Sequence, residues 1–304
     1  MNAIEIRGLR KNFGKKQALK GLDLTVPEGA VYGLIGENGS GKSTTEKLIC
    51  GLMNEDAGTI KLFGRGHDDP RVRSNVGVLI EAPGCYPDCS VWNNMMLQAA
   101  NLQLKHPKDE ARRALKLVRM EGAASNKYRN CSLGMKQRVG IAMALMGDPR
   151  LLILDEPING LDADGMRIMR EILNDVTKDG RCSVLISSHI LGELEKVATH
   201  YGIIRNGRML EEMTAKELEI NCRTYTAFRM RDTKTAQRVL QREYFRVEAE
   251  EDGSVRVYDP VKPEDIAGYL YRNGCPFSEM ETGRISLEEY YLDLMDTKEA
   301  KRYA

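Results

Sequence analysis

Three short runs of this chain are apolar at nearly every position: Val31-Tyr32-Gly33-Leu34-Ile35, Leu151-Leu152-Ile153-Leu154, and the centre of Cys182 to Ser188. Apolar runs without alternation predict strands buried on both faces, the setting of a parallel sheet covered by helices. Between the second and third runs, Met166, Met169, Ile172, Leu173 and Val176 share one side of a predicted helix, and Gly180 punctuates the return. Strand–helix alternation of this kind predicts an α/β fold with an open, mostly parallel sheet and its ligand chemistry at the strands' carboxyl ends. Residues 1 to about 80 read as strands and tight turns, including Ala3 to Ile6, Gly58 to Leu62 and Val76 to Ile80. The pattern then turns helical, from about 82 to 148. Ser90 caps a helix containing Trp92, Met95, Met96 and Ala99, and Pro107 opens another with Ala111, Ala114, Leu115 and Val118 on its apolar face. A third starts after Ser132 and runs through Val139, Ile141, Ala142 and Leu145.

From about 222 the order becomes strand, helix, strand, strand, helix, strand. Tyr225 to Met230, Phe245 to Ala249 and Val255 to Tyr258 are the clearer strands, with helices over Thr233 to Arg242 and Pro263 to Arg272. This predicts a small C-terminal α+β module of the split βαββαβ, ferredoxin-like type over 222–304, after a linker near 213–221. Ser286 caps a last helix containing Leu287, Tyr290, Tyr291 and Leu294.

The chemistry begins right after the first apolar run. Gly36-Glu37-Asn38-Gly39-Ser40-Gly41-Lys42-Ser43-Thr44 is a complete phosphate-binding loop between a predicted strand and a predicted helix. Its glycines let backbone N–H groups curl around a β-phosphate, Lys42 reaches the β- and γ-phosphates, and the Ser43 hydroxyl completes a Mg²⁺ shell. The helix dipole adds positive potential at the same place. The expected ligands are therefore a nucleoside triphosphate and Mg²⁺. The second apolar run ends in Asp155-Glu156, where Asp155 holds the metal and Glu156 faces the attacking water.

Length and composition are compatible with one large domain or two smaller ones: 304 residues, 42% of them hydrophobic. No apolar segment approaches the roughly 18–20 residues of a membrane span, and the N-terminus lacks the layout of a secretory signal, so a cytoplasmic location is expected. Forty-five basic residues against 44 acidic ones, with no basic block, leave no electrostatic footprint for nucleic acid. Seven scattered cysteines fit reduced thiols. Cys85 and Cys89 have neither a neighbouring His nor a second pair at zinc-binding spacing.

Cys131-Ser132-Leu133-Gly134-Met135-Lys136-Gln137-Arg138 opens the third predicted helix. It resembles the signature motif of ATP-binding cassette (ABC) proteins. Asp155 to Asp162 is similar to the family's Walker B element and D-loop, Ser187-Ser188-His189 to its switch-histidine loop, and Phe13 occupies the place of the aromatic residue that stacks on adenine. The resemblance covers roughly residues 3–212. It implies a P-loop NTPase fold with a mixed-sheet core and a helical subdomain, in an ATPase domain of residues 1–212. It also implies roles for His189 at the γ-phosphate and for Ser132 and Gly134 at the γ-phosphate of a second cassette. Catalysis is then expected from Lys42, Glu156 and His189, with metal contacts from Ser43, Asp155 and Glu81.

Glu81 departs from the family, which carries a glutamine there. Together with the Ser132 to Arg138 string, it is similar to cassettes of the bacitracin-resistance and lantibiotic-immunity branch. The implied function is the ATP-binding, ATP-hydrolysing subunit of an ABC transporter, acting as a homodimer of cassettes or paired with a second cassette, on a separate transmembrane permease. Export is the implied direction, possible cargo includes a peptide antibiotic, and the implied place is the inner face of a bacterial membrane. A soluble cassette ATPase serving DNA repair or translation is the alternative. It would need two cassettes with a basic linker, or a long coiled coil, and neither pattern is present.

Overall fold

The computed structural model describes residues 1–222, 224–244, 246–250 and 252–296. The described chain divides into two compact units, 1–215 and 216–296.

In the first unit, β1 (Asn2–Phe13), β2 (Lys16–Pro27), β4 (Ala57–Leu62) and β5 (Arg65–Gly66) form an antiparallel sheet in the order β2-β1-β4-β5, and β3 (Val31–Ile35) leaves it for a second sheet. That second sheet adds β6 (Val76–Leu79), β7 (Leu151–Asp155), β8 (Ser183–Ser188), β9 (His200–Arg205) and β10 (Arg208–Thr214), in the order β10-β9-β3-β8-β7-β6. All its pairings are parallel except β9 with β10. Every residue of β3, β7 and β8 is buried, which is why their sequences carry no alternation. β1 runs well past the predicted Ala3–Ile6, because it pairs on both sides and its polar second half points outward. Ile4, Ile6, Leu22, Leu24 and Val26 of the first sheet pack with Leu34, Leu48 and Ile153 in one apolar core.

The helical segment consists of Val91–Asn101, Pro107–Leu117 and Leu133–Ala144. Each begins where side-chain chemistry dictates. Ser90 Oγ accepts from Asn93 N at 3.0 Å, Ser132 Oγ accepts from Met135 N at 3.2 Å, and Pro107 occupies a first-turn position that needs no N–H donor.

In the second unit, β11 (Thr224–Arg229), β12 (Val247–Ala249), β13 (Ser254–Val257) and β14 (Glu279–Arg284) form an antiparallel sheet in the order β12-β13-β11-β14. Helices Thr233–Leu240 and Pro263–Arg272 bury Leu240, Ile266 and Leu270 in a core with Phe228, Val247 and Val255. Phe245, expected to start a strand, lies outside the described residues. The last helix is Leu287–Asp296, and Ser286 Oγ accepts from Glu289 N at 3.1 Å.

Candidate functional site

The order β3-β8-β7 brings three separate stretches of chain to one end of the sheet. Ile35 is paired with Ser188 and Ser187 with Asp155, so the residues that follow each strand emerge side by side. After β3 comes the loop 36–41. A Cβ on Gly36 would lie 2.4 Å from the Ile204 carbonyl oxygen and 2.6 Å from Ser40 Oγ, so only glycine fits there. Gly41 has φ 118° and leads into the helix Lys42–Ile49, whose start carries no side-chain cap. The first N–H groups of that helix are thus left for a ligand. Ser40 Oγ is buried and has no hydrogen-bond partner among the described residues.

Lys42 is buried, its ammonium donating to the carbonyls of Gly36 at 2.6 Å and Glu37 at 3.2 Å. It also stands 3.8 Å from Glu156 Oε1. Ser43 Oγ and Ser187 Oγ both donate to Asp155 Oδ1, at 3.2 and 2.9 Å. Glu156 has a left-handed backbone, φ 48°, which turns the chain just past the strand end. Its Oε2 sits 2.7 Å from His189 Nδ1 and accepts from the His189 backbone N–H at 3.3 Å. A cavity of about 320 Å³ opens over these groups, lined by Phe13, Lys16, Asn38, Gly39, Lys42, Ser43, Thr44, Asp155 and Glu156. Phe13 is about half exposed, as a stacking surface must be.

Residues 19–159 match the family described as ABC transporter. The bacitracin transport ATP-binding protein BcrA of Enterococcus faecalis is 35% identical over 296 residues, 96% of each chain. The chain belongs to the ABC transporter ATP-binding family. It is an ATP-binding, ATP-hydrolysing transporter subunit. The lantibiotic transport ATP-binding protein SrtF of Streptococcus pyogenes is 38% identical over 209 residues, covering 69% of this chain and 90% of SrtF. A solved ATP-binding subunit of an ABC transporter superposes with a TM-score of 0.64 at 30% identity, covering 72% of this chain and 92% of the solved one.

Ser132 and Gly134, at the start of helix Leu133–Ala144, do not line the cavity of their own cassette. Leu133 and Gly134, just after Ser132, pack instead against the loop that follows Glu156. A Cβ on Gly134 would be 3.5 Å from Leu161 Cδ2, and one on Gly160 would be 2.8 Å from Leu133 Cδ2. Glu81 is also absent from the cavity wall, and its carboxylate is held by Lys47 at 2.5 Å.

Two polar groups of the site escaped sequence reasoning. Ser187, which ties Asp155 to the Glu156 backbone (Glu156 N to Ser187 Oγ, 3.2 Å), stood in a quoted motif without a role. Glu46 lies in the helix after the loop and is fully buried, and neither carboxyl oxygen has a partner in hydrogen-bonding geometry among the described residues. Burial first, and then the neighbouring Asp155 charge, hold its carboxyl well above the usual carboxylate range.

Proposed function

We propose that this cassette powers export of a peptide antibiotic of the bacitracin or lantibiotic kind through a separate permease on the inner face of a bacterial membrane. The observation that carries the catalytic reading is the convergence of Lys42, Ser43, Asp155, Glu156 and His189 at one end of the sheet. The cargo reading rests on the names of the relatives at 35% and 38% identity and on Glu81.

Lys42 and the N–H groups of the loop bind the phosphates, with Gly36, Glu37, Asn38, Gly39, Ser40, Gly41 and Thr44 shaping the cradle. The orphaned Ser40 hydroxyl and the uncapped start of the helix Lys42–Ile49 fit an anion there. Ser43 Oγ and Asp155 Oδ1 form a hard-oxygen donor pair 3.2 Å apart, suited to Mg²⁺ completed by phosphate oxygens. A Mg²⁺ ion held by Ser43 and Asp155 would supply charge neutralisation to the phosphates. Glu156 accepts a hydrogen bond from the attacking water and takes its proton as the γ-phosphoryl group departs. His189 holds the second oxygen of that carboxylate through Nδ1, which leaves Nε2 to face the γ-phosphate. Ser132 and Gly134 serve the site of a second cassette, so hydrolysis requires a head-to-tail pair. Residues 222–304 form an accessory module.

The test is resistance. The chain is produced together with the permease of a bacitracin exporter in a bacitracin-sensitive host, and the inhibitory concentration is compared with that of the Lys42→Ala variant. A several-fold rise that Lys42→Ala abolishes is expected. Equal sensitivity of the two strains, with both proteins present and ATPase activity intact, would sink the cargo reading.

A further inference from the structure

In the second unit, β11 and β14 end their pairing at Arg229 and Glu279, with one further bond from Ser278 N to the Arg229 carbonyl at 2.8 Å. Past that rung neither stretch continues the ladder. Met230 N donates to the Gly253 carbonyl at 3.1 Å, Pro276 has no N–H to give, and Gly274, at φ 72°, closes the helix Pro263–Arg272. Residues 229–232 and 274–278, together with Thr235, line a cavity of about 550 Å³. It is larger than the cavity over the phosphate loop, about 320 Å³, and shares no residue with it. Small-molecule sites occupy roughly 300–1,000 Å³, so this one has room for a compact organic ligand.

The floor is apolar and held by the core beneath it. Met230 and Cys275 are buried, and the half-buried Phe277 stands edge-on to Phe228, ring centroids 5.0 Å apart. Three of the lining residues are ionised. Arg229 is already neutralised, by Glu279 at 2.9 Å and Asp252 at 3.9 Å. Asp232 is occupied at the start of the helix Thr233–Leu240, where its Oδ1 accepts from Thr235 N at 3.0 Å, and the nearby Lys234 and Arg238 offset its charge. Arg231 is exposed and has no hydrogen-bond or ion-pair partner among the described residues. Its planar guanidinium carries five N–H donors in a fork that matches a carboxylate, sulfonate or phosphate. An apolar floor beside one unneutralised cation is complementary to a molecule with an apolar body and a single anionic group.

We propose that this cavity is a binding site for a small organic anion, whose charged group is held by Arg231 and whose hydrocarbon or aromatic body rests on Met230, Cys275 and Phe277. The site belongs wholly to the second unit, so it gives the accessory module a ligand of its own, separate from the nucleotide.

The experiment titrates the full chain with anilinonaphthalene sulfonate, an aromatic anion that fluoresces in apolar surroundings, and with phenylnaphthylamine, a neutral dye of the same build. Excess ADP is present throughout to fill the cavity beside Phe13. Arg231→Met is expected to weaken binding of the sulfonate about ten-fold and to leave the neutral dye within about two-fold. Arg231→Lys, which keeps the charge, is expected to stay within about three-fold of the parent for the sulfonate. Thr235→Phe adds a ring to the cavity wall and is expected to weaken both dyes. Equal losses of the two dyes in Arg231→Met would mean that the guanidinium only shapes the cavity, and the anion reading fails. Sulfonate affinity unmoved by Arg231→Met, or unmoved by Thr235→Phe, overturns the proposal, and so does an unmodified chain that binds no sulfonate.

Discussion

Glu46 should be a burden on stability, and replacing it should strengthen the fold. The residue is fully buried, neither of its oxygens has a partner in hydrogen-bonding geometry among the described residues although the Ser187 and Asp155 side chains stand close to it, and its carboxyl is held well above the usual range by burial and by Asp155. An unsatisfied buried polar group costs about 1–3 kcal/mol even when neutral. A second contribution depends on pH. A carboxyl that binds its proton more tightly in the folded chain than in the unfolded one loses stability as pH rises from the unfolded value, about 4.3, through the raised folded value. The loss is at most about 1.4 kcal/mol per pH unit inside that window and is constant outside it. Glu46→Leu removes both contributions, so it should be more stable than the parent by about 1–3 kcal/mol at pH 4, and by more at pH 8. Glu46→Gln keeps an unpaired polar group and removes only the pH-dependent part. Trp92, the single tryptophan, lies in the first unit and reports its unfolding in urea, in buffer with EDTA and without nucleotide. At about 2–4 °C per kcal/mol, the Leu variant should also melt several degrees higher. A Glu46→Leu chain less stable than the parent at pH 8, or one whose advantage does not grow with pH, refutes the reasoning.

Glu156→Gln should bind ATP with parental affinity but turn it over about 10²- to 10⁴-fold more slowly, since the amide keeps the shape and loses the proton acceptor; a phosphate-release assay beside nucleotide titration checks this. Lys42→Ala and Ser132→Arg chains should each be inactive alone and recover part of the ATPase rate when mixed, because one heterodimer site keeps both intact halves. Parental activity in either single variant would show that Ser132 serves no second cassette. A chain ending at Asn221 should retain nucleotide affinity, measured by calorimetry, because none of the residues lining the cavity lies beyond Glu156.

The parts of the fold legible in the sequence are those where a local rule has one solution. β3, β7 and β8 were visible because burial on both faces leaves only apolar residues, and the three helix starts because Ser90, Pro107 and Ser132 each do something a helix terminus needs. β2 was harder to see. Leu22, Leu24 and Val26 alternate, but Leu19 falls out of phase, since Gly21 at φ 90° shifts the register between them. The order β10-β9-β3-β8-β7-β6 is a matter of long-range pairing that no local pattern encodes. Within the site, the phosphate loop, Asp155, Glu156 and His189 were readable because their spacing is set by phosphate and strand geometry. Glu46 was invisible because an acid in a helix reads as solvent-facing, and here that face turns toward Asp155. The Lys47–Glu81 pair joins residues 34 positions apart with no periodicity between them.

The contacts of Leu133 with Gly160 and of Gly134 with Leu161 mean that this protein cannot keep its own chemistry private. The chain just past Glu156 thus lies directly against the helix start that follows Ser132, and a displacement of either would have to be accommodated by the other. The bare α-carbon of Gly160, at φ 72°, is what lets the Leu133 side chain settle there, so the two surfaces are packed directly on one another. In a head-to-tail pair, the face each cassette lends to its neighbour would be mounted on the frame of its own reaction. Two such sites would share one clock.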